Sequence, residues 1–264
     1  AQLAAVIRHD EIDILVDLAG YTSKNRLVTL AHRPAPIQVQ AWGYVLGTGS
    51  PAVDVIFGDP VVCSPAVQRL LAERVYLLPS ILGFMPYNVK EGQTDLPCLT
   101  KPPMFGVFQR GVKVNEQTLR VWRRILRAVP GSTIMFKGGD YTSDKRMQIA
   151  KGLAGYEGQI TFGPNTTHAE HLNYYQNIDL SLDPWPQTGG VSTLESLYMG
   201  VPCVTLLGER MIQRTSASFL TTLGLTDFIT ETEEEYVETA VRMVTTHRER
   251  LAAVRRTSQE RLMT

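Results

Sequence analysis

Asp183-Pro184-Trp185-Pro186-Gln187-Thr188-Gly189-Gly190-Val191-Ser192-Thr193-Leu194-Glu195 is the stretch on which the fold of this chain turns. Just before it, residues 178–182 form a short apolar run that suits a buried strand. From Ser192 onward, residues 192–199 carry apolar positions at helical spacing. A strand, a glycine loop and a helix in that order make one βα unit of a parallel sheet. Glycines let an anion approach the backbone, and the N–H groups and dipole at the start of a helix favour phosphate. The alternative is an ordinary tight βα loop with Ser192 as its cap. Glu195 on the first turn is open to two readings as well. It could accept hydrogen bonds from ribose hydroxyls, or it could pair with Ser192 in a Ser-x-x-Glu capping box.

The same alternation extends in both directions. Upstream, residues 12–18, 37–42, 53–57 and 74–78 read as strands, with a short helix over 25–31 and helix interior at 2–7. Gly92, Pro97, Pro102 and Pro103 break the pattern over 88–103. A second series follows, with strands expected at 105–108, 133–137, 159–162, 178–182, 203–206 and 227–229. Helices are expected from the Asn115 cap to Val129 and over 144–153, 168–176, 192–199, 212–223 and 233–245. The acidic run 231–235 suits a helix start. This divides the chain into residues 1–90, a linker over 91–103, and 104–264.

Composition narrows the partners. Lys plus Arg and Asp plus Glu are 26 each in 264 residues, and the pI is about 7.2. Neither half departs far from neutrality, whereas a nucleic-acid module concentrates cationic charge. At 44% hydrophobic and 20% charged, the chain can bury a substantial core. At roughly 150 residues per domain, its length amounts to nearly two. Cys63, Cys98 and Cys203 are few and far apart, which fits a reducing cytoplasm rather than a disulfide framework or zinc cluster. No apolar run approaches the ~18 residues that span a bilayer, so no membrane partner is expected.

Among charged residues, Lys113 lies on a loop between a strand and the Asn115 helix, well placed for a pyrophosphate or simply a surface lysine. His168 and His171 form a His-x-x-His pair, but no third metal ligand accompanies them in sequence. Asp-x-Asp, Gly-x-Ser-x-Gly and the P-loop signature are all missing. The residues alone therefore describe an α/β protein with a diphosphate site and no evident nucleophile or metal.

Three segments add a family. Asp13-Ile14-Leu15-Val16-Asp17-Leu18-Ala19-Gly20-Tyr21-Thr22 precedes Arg33-Pro34-Ala35-Pro36-Ile37-Gln38-Val39-Gln40-Ala41-Trp42-Gly43-Tyr44. Residues 105–110 and Lys113 are followed by Val121-Trp122-Arg123-Arg124-Ile125-Leu126-Arg127-Ala128-Val129-Pro130. The opening stretch continues into Ser196-Leu197-Tyr198-Met199-Gly200-Val201-Pro202-Cys203-Val204-Thr205. In this order they resemble the catalytic region of the O-linked N-acetylglucosaminyltransferase and SPINDLY family, glycosyltransferase family 41 in type.

The resemblance implies a GT-B architecture, two Rossmann-like domains with parallel sheets and the nucleotide sugar between them. Residues 1–90 would be the later part of an incomplete acceptor-side domain, and 104–264 the nucleotide-sugar domain. It implies an inverting, metal-independent, cytoplasmic transferase that needs no cofactor and glycosylates Ser or Thr of proteins, with UDP-GlcNAc as donor substrate. GDP-fucose, used by SPINDLY-type relatives, and a non-catalytic nucleotide-binding scaffold are the alternatives. Lys113 would meet the leaving diphosphate together with the N–H groups around Gly189, Gly190, Val191, Ser192 and Thr193, and Arg110 would stand near it. His171 would pack by the base, with Thr166 and Tyr174 on the same side, and Glu195 would take the ribose. Val191 replaces a hydroxyl residue of bacterial members. Asp13 stands where animal relatives carry a His, so the resemblance names no general base. The helical repeats that select acceptors in relatives are expected to lie outside this chain.

Overall fold

The computed structural model describes residues 2–84 and 95–263. Part of the expected linker therefore lies outside the described residues. Two compact units emerge: Ala1–Leu82 with Glu209–Phe219, and Gly83–Gly208 with Leu220–Thr264. The βα alternation places all of 104–264 in one domain, whereas 209–219 packs with the first unit.

The first unit runs α1 (Gln2–His9), β1 (Ile14–Asp17), α2 (Leu27–Ala31), β2 (Ile37–Gln40), β3 (Val55–Gly58), α3 (Pro65–Gln68) and β4 (Arg74–Leu77). Its four strands are parallel and lie in chain order, β1-β2-β3-β4. Buried polar side chains fix the connections. Gln38 donates to the carbonyls of Leu30 (2.9 Å) and Ala52 (2.5 Å). Asp59, 2% exposed, accepts the N–H groups of Val61, Val62 and Ile81 and the hydroxyl of Ser218. Arg214 donates to the Val61 carbonyl at 2.6 Å. These bonds are what return 209–219 to this unit. Gly20 (φ +49°) closes the turn after β1, where its N–H meets Asp17 at 2.7 Å and a Cβ would fall 2.1 Å from the Tyr44 ring. That contact packs Gly20 of one Gly-Tyr pair against Tyr44 of the other.

The second unit contains β5 (Met104–Val107), α4 (Glu116–Ala128), β6 (Thr133–Phe136), α5 (Ser143–Gly152), β7 (Ile160–Phe162), α6 (His168–Asn173), β8 (Leu180–Leu182), α7 (Val191–Tyr198) and β9 (Cys203–Leu206). After α8 (Thr215–Thr222), which begins in the first unit, come β10 (Ile229–Thr230), α9 (Glu233–Thr245) and α10 (Arg248–Met263). The six strands are parallel in the order β10-β9-β8-β5-β6-β7. Counted within the unit this is 6-5-4-1-2-3, the order of dinucleotide-binding sheets, and it reverses between β5 and β8.

Helix positions follow local chemistry. Asn115 and Thr118 form a reciprocal capping box on α4, whose Leu119, Trp122, Ile125 and Leu126 are at most 1% exposed. α7 ends in a Schellman motif: Gly200 (φ +81°) donates to Leu197 and Val201 donates to Ser196, with Pro202 barring continuation. A Cβ on Gly200 would sit 2.7 Å from the Arg255 carbonyl, so Met-Gly-Val-Pro also lets α10 approach. α10 was not anticipated, because its sequence is polar and weakly periodic. It is held instead by Arg255, 2% exposed, which donates to the carbonyls of Ile178, Gln176 and Tyr175, and by Ser258, which donates to Leu197. The strand expected at 227–229 is mostly a 3-10 turn, Thr226–Phe228, leading into β10. Among the described residues no helix is long and apolar enough to cross a membrane.

Candidate functional site

The strand reversal places two loops side by side, one leaving β5 and the other leaving β8. The first carries Lys113 on a 3-10 turn, Gly111–Lys113. Its ammonium donates to Gln109 Oε1 (3.1 Å) and to the Thr188 carbonyl (2.9 Å) on the second loop. Asn115 adds a bond from its amide to the Trp185 carbonyl at 2.5 Å. Burial lowers the pKa of Lys113, Asp183 opposes that shift, and Arg110 adds to it. Asp183 is 1% exposed and locks the second loop, accepting from Gly189 N–H (2.8 Å) and the Thr205 hydroxyl (2.7 Å). Two of its three protons are engaged among the described residues, which holds the Lys113 ammonium in place between the two loops.

α7 begins at this junction. Its cap is Gly190 and no side chain caps it, so the Ser192 cap and the Ser192–Glu195 capping box do not form. The helix start therefore offers backbone N–H groups rather than a sealed end. Gly189 admits no side chain: a Cβ there would lie 2.0 Å from Thr193 Oγ1 and 2.5 Å from Gln109 Nε2. Thr193 is buried beneath it, while Val191 is 59% exposed. Glu195, 7% exposed, places Oε1 2.7 Å from His168 Nε2.

The third group surrounds α6, capped by Thr167 and Glu170. His171 packs on Phe108 (ring centroids 5.4 Å apart) and stacks with His168 (6.4 Å). Burial, then the charges of Lys137 and His168, hold its pKa near 4, so the ring is neutral at pH 7. Thr166 and Tyr174 both touch Lys137. Arg110 differs from the rest: it is exposed and its Nε lies 3.9 Å from Asp140. Four residues were not assigned a place here from sequence. Gln109, one turn before Lys113, and Asp183, at the end of a strand, stand in quoted motifs. In sequence, His168 reads only as half of a His-x-x-His pair. Lys137 carried no signal beyond its place after β6.

Residues 1–85 and 94–264 match the family described as Glycosyl transferase family 41. The chain belongs to glycosyl transferase family 41. A tomato (Solanum lycopersicum) protein named as a probable UDP-N-acetylglucosamine–peptide N-acetylglucosaminyltransferase SPINDLY is 36% identical over 249 residues, 92% of this chain and 27% of that protein. The Arabidopsis thaliana protein of the same activity name, SEC, is 29% identical over 252 residues, 90% of this chain and 26% of its own. Among solved structures, a mutant of the Thermobaculum terrenum O-GlcNAc transferase superposes with a TM-score of 0.91 at 30% identity, covering 99% of this chain and 51% of its own. The chain thus spans about a quarter of the curated relatives it matches. Family 41 membership and the two parallel sheets agree with the fold expected from sequence.

Proposed function

We propose that the chain is the nucleotide-sugar-binding part of an inverting protein O-glycosyltransferase that moves GlcNAc from UDP-GlcNAc to Ser or Thr hydroxyls. The observation that supports this reading most is the convergence of the Lys113 ammonium and the α7 start at one strand reversal. In such a reaction the acceptor oxygen forms a bond to the sugar C1 as the C1–O bond to the diphosphate breaks on the opposite face. The acceptor proton passes to a base, and UDP leaves with the bonding pair. One displacement needs no covalent nucleophile. The charge growing on the diphosphate would be met by Lys113 and the N–H groups of Gly190, Val191 and Ser192, without a metal or resident cofactor; contrary to expectation, the Gly189 N–H is taken by Asp183 and the Thr193 N–H by the Gly190 carbonyl. Glu195 would exchange His168 for the ribose, and His171, Thr166 and Tyr174 would border the base. Arg110 would reach the diphosphate only by leaving Asp140. The acceptor would be a protein or peptide, chosen by parts of the full-length relatives that this chain does not include. The cytoplasm is the proposed setting, which suits three buried thiols with no disulfide among the described residues.

Calorimetric titration with UDP and GDP, for wild type and Lys113→Ala, tests the reading. UDP should bind more tightly than GDP, and the variant should lose most affinity for both. Removing one preorganised charge of this kind costs about 3 kcal/mol in transfer rate where sugar transfer can be followed with labelled donor. Equal affinities in the two proteins would remove Lys113 from the site. A preference for GDP would replace the donor with GDP-fucose, and binding without transfer would leave a scaffold.

A further inference from the structure

Lys137 is 2% exposed and follows β6, yet among the described residues its ammonium forms no ion pair, and Glu170 acts on it only as a nearby charge. It donates to the Pro164 carbonyl at 2.6 Å and to Thr166 Oγ1 at 3.0 Å, and lies 4.2 Å from the centre of the Tyr174 ring. Two hydrogen bonds and one aromatic face use the three ammonium protons. The neighbouring backbone accommodates this. A Cβ on Gly163 would fall 2.9 Å from Lys137 Cδ, so the glycine makes room for the lysine stem. Burying an ammonium is costly, and a methyl-ended side chain would fill the same space at less cost. The charge is thus spent on orienting something.

What it orients is a hydroxyl. Thr166 Oγ1 accepts from an ammonium, so its own proton must point away from Lys137. Thr166 is half-buried, and its hydroxyl is thereby set as a donor on its open side. We infer that Lys137 is a positioning residue that makes Thr166 a fixed donor toward the base of the bound nucleotide, so that the site selects bases presenting a keto oxygen over those presenting an amino group. The inference rests on the nucleotide reading above. Uracil and guanine offer a keto oxygen where cytosine and adenine offer an NH2. A fixed donor facing an amino group leaves two donors opposed, and an unmet buried polar group is what discriminates strongly. The same ammonium adds to the burial that keeps His171 neutral, so no second cation competes for the base edge.

Titration calorimetry of the full chain with UDP, CDP and inorganic pyrophosphate tests this on wild type, Lys137→Met, Thr166→Val and the double variant. Wild type should favour UDP over CDP. Each single variant should cut that ratio by about tenfold, the worth of one hydrogen bond. The double variant should cut it no further, because both changes remove one shared interaction. Pyrophosphate affinity should stay the same in all four. An unchanged UDP-to-CDP ratio in folded Lys137→Met overturns the inference, as does a parallel loss of UDP and pyrophosphate, which marks a scaffold role. Should Lys137→Met not fold, Thr166→Val reads the same ratio alone, and an unchanged ratio there overturns it equally. Wild type that binds pyrophosphate without preferring UDP overturns the base inference alone. Wild type that binds neither ligand overturns the nucleotide reading and this inference with it.

Discussion

His171 sits at the boundary between ring packing and electrostatics. Its pKa of about 4 lies below the ordinary 6.5. An unfolded chain therefore takes up the proton between pH 6.5 and 4 while the folded one does not. Stability linked to this group is complete above pH 6.5 and is lost as the pH falls toward 4. Thermal melts from pH 7 to 4.5 should show a shallower decline for His171→Gln than for wild type. The thiols behave in the opposite sense. Burial, reinforced by Asp59, pushes Cys63 up to about 11, and burial with Asp179 nearby pushes Cys98 up to about 12. Native protein at pH 8 should resist maleimide at both, and denatured protein should label. At this scale the sequence exposed residues whose type fits a ligand, such as Lys113 and Glu195. Lys137 and His168 stayed hidden because their roles come from partners 27 to 29 positions away in the chain.

Elements were legible where local chemistry decides them. Asn115 announces α4, and the acidic run 231–235 announces α9, which Thr232 caps in the structure. Asn115→Ala should cost about 1 kcal/mol through the lost cap, with an added loss from the bond to Trp185, measured by urea denaturation. Gly189→Ala should leave the melting transition cooperative but abolish most nucleotide binding, since its Cβ displaces Thr193 or Gln109. Titration of the variant with UDP checks this. α10 shows the limit of local signals. Its buried arginine is explained only by the carbonyls of Tyr175, Gln176 and Ile178, which a sequence window cannot place beside it.

For the whole molecule, the alternation of strands and helices predicts parallel sheets but not which strands are neighbours. The adjacency of β5 and β8 lies 75 positions apart in sequence, as measured by the Lys113–Thr188 bond, and it is what assembles the candidate site. Disrupting that adjacency should matter more than any surface charge. Asp183→Asn keeps an oxygen for the Gly189 N–H or the Thr205 hydroxyl but gives up the negative charge beside Lys113. The lysine pKa should fall further, and nucleotide affinity should weaken at high pH first. Titrations at pH 7 and 9 would show it.

The return of residues 209–219 to the first unit bears on how the protein is made. A ribosome delivers β1 to β4 early, but the hydroxyl that meets Asp59 and the guanidinium that meets Val61 arrive about 150 residues later, at the 5–20 residues per second of synthesis. The first unit emerges first yet cannot finish first. Until Ser218 clears the exit tunnel, the buried Asp59 carboxylate has its backbone donors but lacks the hydroxyl that completes the set, and nascent chains stalled at residue 208 should be cut by protease within residues 55–82 more readily than chains released at full length.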